Sequence, residues 1–416
     1  MNILLVAPMP PSPTGLAIPR ILHAQLVGLS QRNHVTLAVV AGPEEPELEA
    51  VEQLRADGVD VHAACRHEPR AFAERWRRRR RLAGGWLGSR SPWRTVWYRE
   101  PGLQPILDEL LADRRFDVIA VEDSAAGVYR YGSSAATVYT EHEVRRPRRL
   151  QLPSGRPRSW AHGLLGELDW RRWPAHQLSI WRRFDLIQAF TARDAEAIRT
   201  LAPEVRDRVR VNPFGIDLPQ ELQPAAATSR ELVFMGNFTH PPNVDAALWL
   251  GSEIMPKLRS RAAGARLTLI GPWAPGAVQA LACTDIRVAG AVPDLRPYLS
   301  SAAVVLAPIR IGGGMRMKVL EALALGKAVV TTSRGAEGLE RDGGPPLAVA
   351  DTADEIASET ARLLADPGGR RTLGERARAF VAEHHSPRAY AARLEQAYGE
   401  ARELFRATAT KRGSPS

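Results

Sequence analysis

From Arg310 to Glu321 the chain reads RIGGGMRMKVLE. Gly312, Gly313 and Gly314 can expose consecutive backbone N–H groups, running on to Met315, at the start of a helix, where a phosphate or a sugar hydroxyl binds well. Arg316 and Lys318 would add mobile positive charge toward the same place, which a diphosphate needs when it becomes a leaving group. Glu321, about one turn into the helix, is placed to accept hydrogen bonds from vicinal hydroxyls such as those of a ribose. Together these residues describe a site for a nucleoside diphosphate carrying a sugar. A flexible turn ahead of a core helix is the blander alternative, and it leaves two cations and a carboxylate without a task.

A second candidate lies in YTEHEVRR, where His142 follows a predicted strand end. A lone histidine is more often structural than reactive, and Glu141 and Glu143 beside it either orient it or face solvent. The loop PMPPSPTG after the first predicted strand ends at Gly15, which fits both a ligand-approach loop and a plain proline turn. Asp194 and Glu196, after the FT turn, read as the cap and first turn of a helix.

These residues need elements to hold them. Ile3 to Ala7 reads as a buried strand, followed by a helix with Ile21, Leu22, Leu26 and Leu29 on one face and a strand at Val35 to Val40. Val118 to Val121, Thr137 to Thr140, Asp185 to Thr191 and Val209 to Val211 continue the alternation, which argues for a parallel sheet covered by helices. The proline- and alanine-rich LPQELQPAAATS then interrupts it. The pattern restarts with ELVFMGNF and continues through LTLIG, IRVAG, VVLAPI and AVVTT, apolar on both faces as in a doubly wound sheet. The expected organisation is α/β: a Rossmann-like acceptor-binding domain at 1–217, a linker at 218–229 and a Rossmann-like nucleotide-sugar domain at 230–385. An amphipathic helix at 386–408, with Tyr390, Leu394 and Tyr398 at helical spacing, should pack back on the first domain, and 409–416 should fray. Two such domains would face each other across a cleft, with ligands at the carboxyl ends of the strands.

A chain of 416 residues exceeds one ordinary core, which agrees with two domains. The two cysteines, Cys65 and Cys283, match no metal spacing and read as free thiols of a reducing, cytoplasmic compartment. MNILLVAPMPP lacks the basic lead of a signal peptide, and no stretch is long enough to span a bilayer. The net charge of +10 comes mostly from arginine. Arg70, Arg75, Arg77 to Arg81, Arg90 and Arg94 sit among Phe72, Trp76, Trp86, Trp93 and Trp97, and a second such region runs from Arg145 to Arg183. A solvated arginine-rich surface fits this, and so does contact with the anionic inner face of a membrane, since arginine attracts lipid phosphates and tryptophan prefers the interface. No motif for nucleic-acid recognition accompanies the charge, and no nucleic-acid partner is expected.

VFMGNFTHPPNVDAALWL, LTLIGPW, VAGAVPDLRPYLSSAAVVLAPI, GGGMRMKVLEALALGKAVVTT with GAEGL after it, and NPFGID in the first half carry a resemblance to the retaining glycosyltransferases of family 4. It spans nearly the whole chain and is strongest from Leu232 to Leu339. The resemblance implies the GT-B fold, two Rossmann-like domains facing a central cleft, and metal-independent hexosyl transfer from a nucleotide sugar to a hydroxyl acceptor such as a glycolipid, polysaccharide precursor or natural product. It implies that Glu321 binds the ribose, that His142 lies near the transferred sugar, and that Gly15 approaches the donor phosphate. The family's other loop glutamate would fall at Gly313, so that carboxylate is missing. The arginine and lysine that usually follow the first strand of the second domain are replaced in GNFTHPPN, with Asn237 and Pro242 near their positions. The sequence resembles a subgroup with a GGGxRxKxLEA loop, in which Arg316 and Lys318 take over the diphosphate. Two alternatives stay open: a non-catalytic nucleotide-sugar-binding partner protein, which the missing carboxylate motivates, and a nucleotide-sugar epimerase of the same fold.

Overall fold

The computed structural model describes residues 1–43, 45–66, 71–132, 134–145, 160–219, 225–340 and 344–413. Arg70, the centre of the expected linker at 220–224, the basic run at 146–159 and the last three residues of the expected tail lie outside the described residues. The described chain divides into two compact units, one made of the first 215 residues together with the segment from Pro387 onward, the other of Ile216–Ser386.

In the first unit the strands are β1 (Asn2–Ala7), β2 (His34–Ala41), β3 (Asp60–Cys65), β4 (Val118–Glu122), β5 (Ala136–Glu141), β6 (Leu186–Ala189) and β7 (Val209–Val211). They form one parallel sheet in the order β3-β2-β1-β4-β5-β6-β7. Its middle strands, such as LLVA in β1 and VIAVE in β4, are buried throughout because helices cover both faces. The strand order turns back between β1 and β4, and the crevice beyond the carboxyl ends at such a reversal is where open α/β sheets bind ligands. β3, DVHAAC, escaped the sequence reading because its polar start and alternating burial carry no long apolar run.

The helix Pro387–Gly413 belongs to this first unit. Tyr390, Leu394 and Tyr398 are fully buried, each contributing about 1.5–3 kcal/mol by area removed from water. The helix lies along Ala17–Ser30 and reaches β5. The contact with Ala17–Ser30 is close because Gly28 carries no side chain: a Cβ there would lie 2.3 Å from the Pro387 carbonyl oxygen.

The second unit repeats the plan with β8 (Glu231–Met235), β9 (Arg266–Ile270), β10 (Ile286–Gly290), β11 (Val304–Ala307), β12 (Ala328–Thr331) and β13 (Ala348–Val349), all parallel, in the order β10-β9-β8-β11-β12-β13. The reversal falls between β8 and β11, so the loops after these two strands flank its crevice. Both cysteines are free and exposed. Among the described residues, no helix is long and apolar enough to cross a membrane.

Candidate functional site

In the second unit, β11 ends at Ala307 and the glycine loop leads into the helix Met317–Ala324, with Arg316 at its N-cap. Gly312 and Gly314 have φ of 89° and 79°, a region that side chains with a Cβ rarely enter, so glycine at these two positions is a conformational requirement. Across the reversal, the loop after β8 comes close. A Cβ on Gly236 would lie 2.7 Å from Lys318 Nζ and 2.7 Å from Asn243 Cγ, and one on Gly312 would lie 3.0 Å from Pro242. The two loops therefore share one site.

Lys318 is not the mobile cation expected from sequence. Its ammonium donates to Asn243 Oδ1 and lies 4.6 Å from the centre of the Phe234 ring. Asn243 in turn donates to the Asn237 carbonyl at 2.7 Å, while the Asn237 side chain accepts from the Thr239 amide and hydroxyl. Lys318 keeps some surface, yet the atoms packed around its ammonium, and secondarily Arg316, push it down to about 7 from an ordinary 10.5. A phosphate oxygen arriving there would favour the charged form. Arg316 turns back over the glycines, its guanidinium 3.4 Å from the Ile311 carbonyl. Gly313 and Glu321 stay partly exposed, and Met315 is buried against Gly338.

Two arginines that sequence reasoning passed over complete this edge. Arg334, in the loop after β12, donates to the Gly312 carbonyl at 3.0 Å, and Arg310 pairs with Asp245 at 2.8 Å while stacking 4.3 Å from the Trp249 ring centre. Both line a cavity of 440 Å³ with Thr332, Ser333, Glu337 and Asp351, at the carboxyl ends of the strands. A cavity of 430 Å³ near Arg259 and Asp285 opens beside the amino ends of β9 and β10, away from these loops. Only the former lies where open α/β sheets bind ligands.

In the first unit, His142 is reached by a residue that the sequence did not single out. Its Nε2 lies 2.9 Å from Glu122 Oε2 at the end of β4, and the imidazole is 6% exposed and Glu122 0%. Thr140 and Glu122 are register partners on adjacent strands, so the Thr140 hydroxyl also donates to Glu122, at 3.0 Å. Burial, the largest influence, pulls the His142 pKa down, but the hydrogen bond and charge of Glu122, with Asp123 and Glu141, outweigh it and leave the imidazole above its ordinary 6.5.

Neither neighbouring glutamate orients His142. Glu143 is exposed and pairs with Arg145 at 3.1 Å. Glu141 points into the core, where Trp181 Nε1 donates to it at 2.9 Å, and burial pushes it up to about 7. Asp123, also unanticipated, is a buried non-glycine residue with φ of 67° at the reversal between β1 and β4. Backbone strain of this kind collects at functional sites. Burial pushes its pKa up, but Arg94, 3.4 Å away, with His142, the Ala125 amide and Arg145, holds it below the usual carboxylate value.

NPFGID also acts here. Asn212 donates to Gln188 at 2.6 Å, and Phe214 packs edge-on to Phe190, which packs edge-on to His142 at 5.0 Å. Gly15, with φ of 85°, ends the loop after β1 in open space. Thr191, not Asp194, caps the helix Ala192–Leu201: its hydroxyl oxygen accepts from the Asp194 amide at 3.0 Å. Among the described residues, no group of three or more His, Cys, Asp or Glu side chains could hold a metal ion.

Residues 229–366 match the family described as Glycosyl transferases group 1, and residues 48–220 match Glycosyltransferase Family 4. Each half thus carries a glycosyltransferase domain. Anabaena Alr3699/HepE in complex with UDP is 14% identical with a TM-score of 0.60, over 96% of this chain and 100% of that one. The N-terminal domain of Candida albicans trehalose-6-phosphate phosphatase is 13% identical with a TM-score of 0.62, over 96% and 97%. S. aureus TarM, solved with UDP, is 10% identical with a TM-score of 0.52, over 71% and 58%. No curated protein matches the chain. The fold is GT-B, with two parallel α/β sheets.

Proposed function

Proceeding from two glycosyltransferase domains on one GT-B chain, we propose that the protein is a retaining, metal-independent glycosyltransferase that moves a hexosyl unit from a nucleotide sugar to a hydroxyl acceptor. The observation that carries this reading is the convergence of the glycine loop with Lys318, Asn243 and Gly236 at the reversal of the second sheet. The diphosphate sits against the N–H groups of Gly313 to Met315, with Arg316 and Lys318 stabilising its departure, and Glu321 takes the ribose hydroxyls. Charge from these groups serves where other enzymes use a metal ion. Neighbours of the same fold bound to UDP and UDP-glucose make a UDP-sugar the first donor to try. His142 serves the transferred sugar or the acceptor. The leaving phosphate itself assists deprotonation of the acceptor on the same face, so no protein nucleophile is needed.

The acceptor is lipid-linked in the version of this reading that uses the arginine- and tryptophan-rich helices. On Phe72–Gly88, Phe72 and Leu87 are 79% and 70% exposed beside a run of arginines, and Trp93 and Trp97 continue the exposed aromatic surface. Such a surface suits the anionic inner leaflet. Sedimentation with phosphatidylglycerol vesicles at low salt, lost at high salt, is expected; no binding at low salt removes this version.

The decisive experiment is a thermal-shift and hydrolysis screen against UDP-, GDP-, ADP- and dTDP-sugars. Stabilisation by one nucleotide with slow sugar release supports transfer. Stabilisation without release, with acceptors present, favours a nucleotide-sugar-binding partner protein, and no stabilisation overturns the assignment of the glycine loop.

A further inference from the structure

Glu122 is a carboxylate with no exposed surface, and burying such a charge is costly unless it is paired and hydrogen-bonded. Its partners are Gln25 Nε2 at 2.9 Å and Thr140 Oγ1 at 3.0 Å on Oε1, and His142 Nε2 at 2.9 Å on Oε2. Among the described residues, the imidazole is the one cationic group in contact with it. Sheet register creates the arrangement. Thr140 pairs with Glu122 across β4 and β5, and His142, two residues further on, faces the same side. Of the two partners the imidazole is intrinsically the more basic, and the Glu122 hydrogen bond favours its protonated form, so the hydrogen of this pair is assigned to His142 Nε2. Phe190 meets the ring edge-on, and Nδ1 makes no hydrogen bond among the described residues.

We infer that Glu122 is a positioning residue: by accepting the Nε2–H bond it fixes the ring of His142 and makes Nδ1 the nitrogen that meets a sugar or phosphate oxygen. The inference rests on the reading of His142 as a residue beside the transferred sugar. As an imidazolium, His142 would donate through Nδ1–H; as neutral imidazole, it would accept there. Glu122 in contact, and Asp123 and Glu141 at longer range, favour the charged form, while Arg94 and Arg145 act on Asp123 and temper it. The support extends one step further, since Gln25 Nε2 also lies 3.3 Å from the Tyr398 hydroxyl on the helix Pro387–Gly413.

The test uses the full chain labelled with 15N-histidine, with the His142 signals identified by their loss in His142→Gln. Wild type should show Nε2 protonated and a titration midpoint above that of an ordinary histidine. Glu122→Gln keeps the shape and removes the charge; the midpoint should fall, and kcat should drop about tenfold or more with KM for the nucleotide sugar little changed. Glu122→Asp keeps the charge but withdraws it by one methylene. It should weaken the Nε2 hydrogen bond while melting close to wild type, so the test survives if Glu122→Gln folds poorly. An unaltered tautomer and midpoint in both variants overturns the inference. So does unaltered kcat in both when His142→Gln is crippled. If His142→Gln transfers sugar at the wild-type rate while the midpoint shifts as expected, the role of His142 in transfer fails and the positioning by Glu122 stands.

Discussion

The two units present the same sheet reversal with opposite electrostatics. In the second, cations gather at the crevice: Lys318, Arg316, Arg334 and Arg310 surround a loop of glycines, and burial, with Arg316 second, holds the lysine down to about 7. In the first, carboxylates gather: Glu122 bonds His142 and, with Asp123 near it, lifts the histidine, while burial lifts Glu141 on the core side. Each unit thus carries strained protonation that a ligand of complementary charge would relieve. On the proposed function, a diphosphate would meet the second unit and a sugar hydroxyl or an oxocarbenium-like centre the first.

The sharpest way to break this contrast is Lys318→Ala. Transfer should fall about 10²–10³-fold, with weaker nucleotide binding by calorimetry. In wild type, nucleotide binding above pH 7 should take up a proton, seen as a binding enthalpy that depends on buffer ionisation and vanishes in the variant. Next comes His142→Gln, expected to lower kcat about 10–10²-fold while the nucleotide Kd stays the same; a change in Kd instead would merge the roles of the two units.

Arg94→Ala leaves Asp123 buried without its partner. Breaking a buried pair costs about 3–5 kcal/mol, and the partial exposure of Arg94 reduces the expected loss to about 2 kcal/mol in denaturant unfolding. The smallest effects are in stability against pH, and they have opposite signs. Folded Glu141 keeps its proton to about pH 7 against an ordinary 4.5, so its contribution is lost as pH rises through that window, and Glu141→Gln should flatten the fall. Unfolded Lys318 holds its proton to about pH 10.5 and the folded form only to about 7, so stability rises with pH between them, and Lys318→Met should flatten the rise.

This asymmetry also explains what could be read from the sequence. The glycine loop, Arg316, Lys318 and Glu321 lie within ten positions, so strand, loop and helix start are visible in one short string. The alternation of apolar strands and helices likewise disclosed two doubly wound sheets. The first-unit site is assembled from segments far apart in the chain: Glu122, Thr140 and His142 meet through strand register, Gln25 reaches them from the helix Ala17–Ser30, and Glu122 reads as the tail of an apolar strand. Arg94 and Arg334 belong to loops and helices whose placement depends on tertiary packing. Asp123 gave no signal, since its positive φ is imposed by its surroundings and leaves no mark in residue type.

The helix Pro387–Gly413 has a consequence for how the protein is made. Domains generally fold as they leave the ribosome, the N-terminal one first. Here the first sheet is translated early but lacks the tyrosines and leucine that seal its face until Pro387–Gly413 emerges. The second unit, Ile216–Ser386, is therefore synthesised whole while the first still waits. A nascent chain stalled before Pro387 would hold one finished unit and one with an open apolar face, exposed while the whole of Ile216–Ser386 is made.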